Sequence, residues 1–364
     1  MVTPRLLESL PLRERIARNR LWLPPMCTYS AAEDGVVTPW HVVHYGARAA
    51  GGFGTVVVEA TAVSPRGRLS PRDLGLWEDA QVAGHSRLVE AIHASGSLAG
   101  VQLGHGGRKA GTPPWRPDAV GARQGTLAGW DLVAPSALAY PGHATPRELD
   151  LTEVRALVET FAQAAGRAVA AGYDLVELHG AHGYLLHEFL SPLSNHRTDA
   201  YGGTTAGRRR LVLEVVEAVR EAVGDAVLGI RLSATDWTAG GLTGEQTAEL
   251  APLLVGAGAD VLHVSTGGNV PAKVPVAPGY QVPFAARVRD AVAATATPVV
   301  TVGVMRSATQ AEQILVTGQA DAVAVGRPAL LDPSLPLRWA RDLGTEGWQA
   351  QGVPVPYWRG VWAS

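Results

Sequence analysis

Eight short apolar runs recur along the chain, each continuous rather than alternating and each followed by a loop and an amphipathic, Ala-rich segment. They are LWLPPM (21–26), TVVVEA (55–60), LAGVQL (98–103), DLVELH (174–179), AVLGIRL (226–232), ADVLHVS (259–265), PVVTVG (298–303) and DAVAVG (321–326). Unbroken hydrophobicity marks strands buried on both faces, as in a parallel sheet. The segments between them read as helices. The clearest is 152–171, with Thr152 as N-cap, Glu153 in the first turn, apolar residues three and four apart, and Gly172 as the stop. Segments 207–223, 245–257, 284–295 and 307–317 follow the same pattern. Eight strand–helix units in one chain predict an α/β fold, a single (β/α)8 TIM barrel spanning 1–364, with its active site at the C-terminal ends of the strands. Two stretches exceed a minimal barrel. The Gly-, Pro- and Trp-rich loop 104–150 is long enough to be a lid, and the tail 350–364, ending VPVPYWRGVWAS, is built to dock on its own barrel or a neighbouring subunit.

Composition narrows the classes. The chain has 364 residues, 46% of them hydrophobic, and a formal charge of −2, so it fills a large core and shows no imbalance suited to nucleic acid. Cys27 is the only cysteine, which excludes an internal disulfide and fits a reducing compartment. The charged N-terminus and the absence of a run of about 20 apolar residues predict a cytoplasmic protein with no membrane partner.

The strand ends carry the candidate chemistry. In order they offer Pro25, Met26, Cys27 and Tyr29; Glu59 and Ala60; Gln102 and His105; His179, His182 and Tyr184; Arg231; Gly303; and Gly326 with Arg327. Neither a pair of catalytic carboxylates nor a converging set of metal ligands stands out, although His179, His182 and Glu59 leave a metal-dependent barrel enzyme as an alternative. VTVGVM (301–306), leading into a helix at Ser307, and VAVGRP (323–328) together suit a phosphate. A phosphorylated cofactor with a large flat ring would fill the mouth, with Gln102 and Arg231 at its edge. A fixed positive charge there stabilises a ring that becomes anionic on reduction. The bland alternative for Arg231 is an ion pair with Asp236 or another carboxylate.

HGAHGYLLHEFLSPLSNHRTDAYGG (179–203), with PPMCTYS (24–30), VVVEATAV (56–63), VQLGHGGRKA (101–110), IRLSATDW (230–237) and AVGRP (324–328), resembles the Old Yellow Enzyme family of FMN-dependent ene-reductases. The similarity is closest to the bacterial branch of xenobiotic reductases and YqjM-type NADPH dehydrogenases, and runs from Asn19 to Arg359. It implies tightly bound, non-covalent FMN, NADPH as reductant, activated alkenes as substrates, and a homodimer or homotetramer. It also implies that the Pro24–Cys27 backbone lies along the flavin, that Cys27 tunes the ring, and that Tyr29 reaches the substrate. Ala60 and Gln102 would bond the pyrimidine end, Arg231 would sit by N1 and the C2 carbonyl, and Gly303, Gly326 and Arg327 would line the phosphate. Arg359, in YWRG (357–360), would reach a neighbour's active site.

The spacing in the long motif then has a chemical reading. An enone's carbonyl must be polarised while hydride from flavin N5 adds at the β-carbon, and His179 and His182 can both aim N–H groups at one oxygen. Tyr184 would deliver the proton to the α-carbon. His187 and His196 read as structural, and Arg197, Asp199 and Tyr201 as braces of a turn-rich loop. The chain departs from the family pattern at Pro24 (Ser in relatives), Gly180 (Ala) and Trp358, and the insertion near 112–130 is longer than in the YqjM type. A non-catalytic flavin-binding protein is the remaining alternative.

Overall fold

A computed structural model describes residues 3–32, 34–115, 125–347 and 352–361. Eight parallel strands close into a barrel: β1 (Leu21–Leu23), β2 (Thr55–Ala62), β3 (Leu98–Gly104), β4 (Leu175–Gly180), β5 (Val227–Ser233), β6 (Val261–Ser265), β7 (Val299–Thr301) and β8 (Ala322–Ala324), with β8 paired to β1. The fold is the expected (β/α)8 barrel, and all eight apolar runs supply its strands. Four strands, β1, β6, β7 and β8, are shorter than their runs. Pro24 and Pro25 have no N–H to donate, so pairing stops at Leu23; Pro298 delays β7 for the same reason, and Gly303 (φ 128°) turns the chain after it.

The surrounding helices are α1 (Pro39–Ala50), α2 (Val82–His93), α3 (Leu151–Ala170), α4 (Leu185–Leu190), α5 (Thr205–Val223), α6 (Gly244–Gly256), α7 (Val282–Ala291), α8 (Ala308–Val316), α9 (Arg327–Leu331) and α10 (Leu335–Asp342). The cap of α3 is Asp150 rather than Thr152. Its carboxylate accepts the Glu153 N–H at 2.8 Å while Glu153 reaches back to the Asp150 N–H at 3.1 Å, a reciprocal box that places Thr152 inside the first turn.

The barrel interior changes character along its axis. Leu175, Val227 and Val261, the first residues of their strands, pack with Trp22, Val57 and Val300, and a hairpin of Leu10–Leu12 and Arg15–Ala17 adds Leu10, Leu12 and Ala17 to this floor. Two residues further along, on the same inward face, stand Glu177 and His263; two further again stand His179, Arg231 and Ser265. The dry end supplies stability and the polar end is left to chemistry. A larger apolar core lies between the strands and the helices. Among the described residues no helix is long and apolar enough to cross a membrane.

Trp22 is fully buried in the floor. Trp22→Ala should lower stability by about 3–5 kcal/mol, read as the midpoint of chemical denaturation; a loss under about 1 kcal/mol would mean the floor is not tightly packed.

Candidate active site

The loop after β1 is set by one buried carboxylate. Glu59 lies where β2 shifts register between Val58 and Ala60, and it accepts from the Thr28 N–H, from Thr28 Oγ1 at 3.1 Å and from His41 Nε2 at 3.1 Å. That grip holds Tyr29 in the left-handed region (φ 53°) and carries Cys27, part-buried, between them. Glu59 thus spends its oxygens on the β1 loop and on α1, and does not join His179 and His182. Among the described residues, no three His, Cys, Asp or Glu side chains are grouped to hold a metal.

The next layer belongs to β2–β6. Ala60 and Gln102 are register partners, as are Gln102 and Glu177. Gln102 Nε2 donates to Glu177 Oε1 at 2.7 Å, and His263 Nδ1 meets Glu177 Oε2 at 2.7 Å. Burial alone would raise the Glu177 carboxyl, but His263, Arg231 and Gln102 hold it below its usual range. Arg231 is buried with its Nε unpartnered. Asp236 does not pair with it: that carboxylate lies 3.1 Å from His187 Nε2 and accepts from Ser191 Oγ at 2.6 Å and the Leu242 N–H at 2.8 Å. The carboxylate acting on Arg231 is Glu177.

Arg231 opens onto a cavity of about 200 Å³ that Pro24, Met26, Gly303, Gly326 and Arg327 also line. A Cβ on Gly326 would stand 3.1 Å from Met26 Sδ, and Gly303 has a backbone that side chains rarely adopt, so the corner keeps its main chain bare. Bare backbone, Arg327 and an orphaned guanidinium fit a flat, phosphorylated, electron-accepting group. Ser307 spends its hydroxyl capping α8, accepting the Gln310 N–H at 3.2 Å.

After β4 the chain turns sharply. His182 has φ 59° and Gly183 φ 72°; a Cβ on Gly183 would run into the Gly268 carbonyl, so only glycine fits. The ring of His179 meets His182 edge-on at 5.2 Å and Tyr184 at 4.8 Å, so the three residues face one another. Burial, with Arg231 and Lys109 nearby, pushes both imidazoles well below their ordinary range, and they are neutral. Lys109, from the loop after β3, donates to the carbonyls of His182 (2.7 Å) and Gly268 (3.0 Å), and its ammonium lies 4.9 Å from the Tyr184 ring centre.

His187 accepts the Gly183 N–H at 2.9 Å, which makes it a support of this turn. Arg197 donates to Leu149 O (2.6 Å), Pro135 O (3.1 Å) and Asp199, and Tyr201 to Glu214 (3.0 Å), bracing the loop. Among the described residues the His196 ring has no hydrogen-bond partner, and the His196 N–H goes to Ser136 Oγ. The lid loop includes a two-residue ladder of Val133–Ala134 with Arg147–Glu148; 116–124, within the 112–130 insertion, lie outside the described residues, as do 350, 351 and 362–364 of the tail. Arg359 is exposed on a short helix, Trp358–Val361. Glu177, His263, Ser265, Gln281 and Lys109 were not singled out in the sequence; polar residues two apart inside apolar runs, as in DLVELH and ADVLHVS, are the signal that finds the first three.

The chain matches the model of the NADH:flavin oxidoreductase / NADH oxidase family over residues 6–346. It is 41% identical over 358 residues to the NADPH dehydrogenase of Bacillus subtilis (strain 168), covering 98% of this chain and 99% of that one. Among solved structures it resembles morphinone reductase in complex with tetrahydroNAD (33% identity, TM-score 0.78, 94% of this chain and 91% of that one). It also resembles the old yellow enzyme homologue from Zymomonas mobilis (29% identity, TM-score 0.76, 93% of each).

A small hollow beside His105, His179 and Tyr184 is lined by Asp73, whose carboxyl burial pushes up to about 8. A carboxyl raised above its unfolded value, about 3.9, stabilises the fold at acid pH and loses that contribution as pH rises towards 8. Glu188, also pushed up to about 8, acts in the same window. Asp73→Asn should therefore flatten, without abolishing, the fall in melting temperature between pH 5 and 9. Parallel curves for the two proteins would show that Asp73 is ionised throughout.

Proposed function

The chain belongs to the NADH:flavin oxidoreductase / NADH oxidase family, and from that premise we propose that it is an ene-reductase, reducing activated C=C bonds of unsaturated carbonyls, imides or nitroalkenes at the expense of NADPH. It is an enzyme of Old Yellow Enzyme type that carries out NAD(P)H-dependent flavin oxidoreduction. FMN, when bound, supplies reversible two-electron chemistry, accepting hydride from NADPH and passing it to the β-carbon of the alkene.

The residues present fit that group. Gln102, with Nε2 committed to Glu177, keeps its amide oxygen as an acceptor that would serve the edge of the ring, beside Ala60. Arg231 places its charge where a reduced ring carries negative charge. Gly303, Gly326 and Arg327 would hold the phosphate; Pro24, Pro25, Met26 and Cys27 would run along the ring, where Pro24 offers a carbonyl and no side-chain hydroxyl. The observation that carries the reading is the set of three rings after β4, grouped next to a buried guanidinium with an orphaned nitrogen. His179 Nδ1 accepts the Ala181 N–H, so its other nitrogen carries the proton and can donate to a substrate carbonyl as enolate charge develops. Tyr184 delivers the proton to the α-carbon and Tyr29 closes on the substrate. Arg359 of a second copy would complete the mouth in a homodimer or homotetramer.

The purified protein should be yellow, bleach with NADPH in the absence of oxygen, and recover its colour with cyclohexenone. Colour that NADPH bleaches but no alkene restores would leave a flavin protein without ene-reductase activity. In Tyr184→Phe, alkene reduction should slow about 10²-fold or more while flavin reduction stays within a few-fold. Equal loss in both half-reactions would remove Tyr184 from the proton step.

A further inference from the structure

Glu177 enters the reading above only as the partner of Gln102, yet it is a carboxylate sealed inside the barrel. It points inward from β4 one layer nearer the floor than His179, and its side chain and that of His263 are each only 1% exposed. Gln102 Nε2 donates to one of its oxygens and His263 Nδ1 meets the other, both at 2.7 Å. An ionised carboxylate only accepts, so each partner has a fixed sense. Gln102 turns its amide nitrogen to Glu177 and keeps its oxygen for another donor. His263, which burial keeps neutral, carries its proton on Nδ1, and its Nε2 is buried with no hydrogen-bond partner among the described residues.

Arg231 stands on the neighbouring strand, paired in register with His179, and is buried as well. Glu177 is the carboxylate that acts on it. One positive and one negative charge are thus held in adjacent layers beneath the ring edge that Gln102 and Arg231 would serve, with His179 on β4 and His263 on β6 neutral around them. Hydride transfer adds a negative charge to a neutral ring. Arg231 stabilises that charge and Glu177 opposes it, in surroundings where little water screens either. We propose that Glu177 is a positioning residue with two effects: it holds the Gln102 amide in the sense that the ring needs, and it offsets Arg231 so that the bound flavin has a lower reduction potential. A lower potential makes the reduced ring a stronger hydride donor to an alkene and harder for NADPH to reduce. The inference rests on FMN occupying the mouth, as in the reading above.

Glu177→Gln keeps the shape and removes the charge. The introduced amide accepts from Gln102 through its oxygen and donates to His263 Nδ1 through its nitrogen, while the imidazole proton shifts to the unpartnered Nε2. In a dye-equilibrated titration of the holoenzyme, the ratio of reduced to oxidised flavin at a fixed potential should rise about tenfold, an upward shift of about 30 mV. NADPH should reduce the flavin faster and an alkene should reoxidise it more slowly. A purely structural role would weaken the hold on oxidised and reduced FMN alike, and an unshifted potential with both affinities lowered overturns the inference. If Glu177→Gln fails to fold or to hold flavin, His263→Leu decides. It leaves Glu177 in place with one donor fewer, so the carboxyl takes up a proton from solvent as the ring gains its charge. The potential should then fall more steeply with pH than in the unaltered protein, and equal slopes in the two proteins would refute the proposal. Normal enone reduction by Glu177→Gln with an unshifted potential would sink this inference alone. Unaltered protein that binds no FMN would sink the reading on which it rests.

Discussion

A guanidinium buried inside a barrel is the constraint to which the rest of the site answers. An ion removed from water costs several kcal/mol unless its surroundings compensate, and among the described residues Arg231 has no carboxylate in direct contact; Glu177 acts on it from the neighbouring strand, one layer nearer the floor. Glu177 is held below its usual range by His263, two strands away on β6, by Arg231 on the neighbouring β5, and by Gln102 across the β3–β4 ladder. Burial, reinforced by the same positive charge, keeps His179 and His182 neutral. A neutral imidazole has a donor and an acceptor side, and only then does a partner such as Ser265 decide which side is which.

Strain collects at the same end of the barrel. Of the side-chain-bearing residues with positive φ, Tyr29, His182, Trp237 and Val304 follow β1, β4, β5 and β7, in loops at the C-terminal ends of the strands. Each such conformation costs of order 1–2 kcal/mol, and each needs local bonds to hold it. Tyr29 is held through Glu59 and Thr28, and His182 through the Ser233 hydroxyl at 2.9 Å on its N–H and Lys109 on its carbonyl. The apolar floor sustains this cost at a distance, because the strands that begin there end under the strained turns.

Continuous apolar runs made the barrel legible, since a strand buried on both faces leaves a mark in composition that no loop can mimic for eight repeats. Run length overstated the strands wherever proline interrupted the ladder, because a hydrophobicity pattern does not register a missing N–H. Thr152 and Asp150 are equally good caps by type, and only the reciprocal bond with Glu153 separates them. The site residues at strand ends were legible for the same topological reason. What sequence could not show is direction: that Asp236 turns to His187 instead of Arg231, that Glu59 grips the β1 loop, and that the His182 ring meets Ser265. Those outcomes depend on which of several adequate partners lies within 3 Å, a fact of packing rather than of residue type.

The loop after β3 is not an independent cover over this machinery. Arg108 donates to Asn269 O at 2.6 Å, Lys109 ties the His182 and Gly268 carbonyls together, and the Lys109 ammonium lies between the rings of Tyr140 and Tyr184, 4.8 Å and 4.9 Å from their centres. The loop therefore reaches the candidate site through the backbone of the turn after β4. His182 occupies a conformation that its own residue type disfavours, so releasing its carbonyl from Lys109 removes one of the bonds that keep it there. A rearrangement of the lid must then be felt first in the orientation of His182, before it alters the width of the mouth. In this architecture the loop after β3 is bonded directly to the backbone of His182.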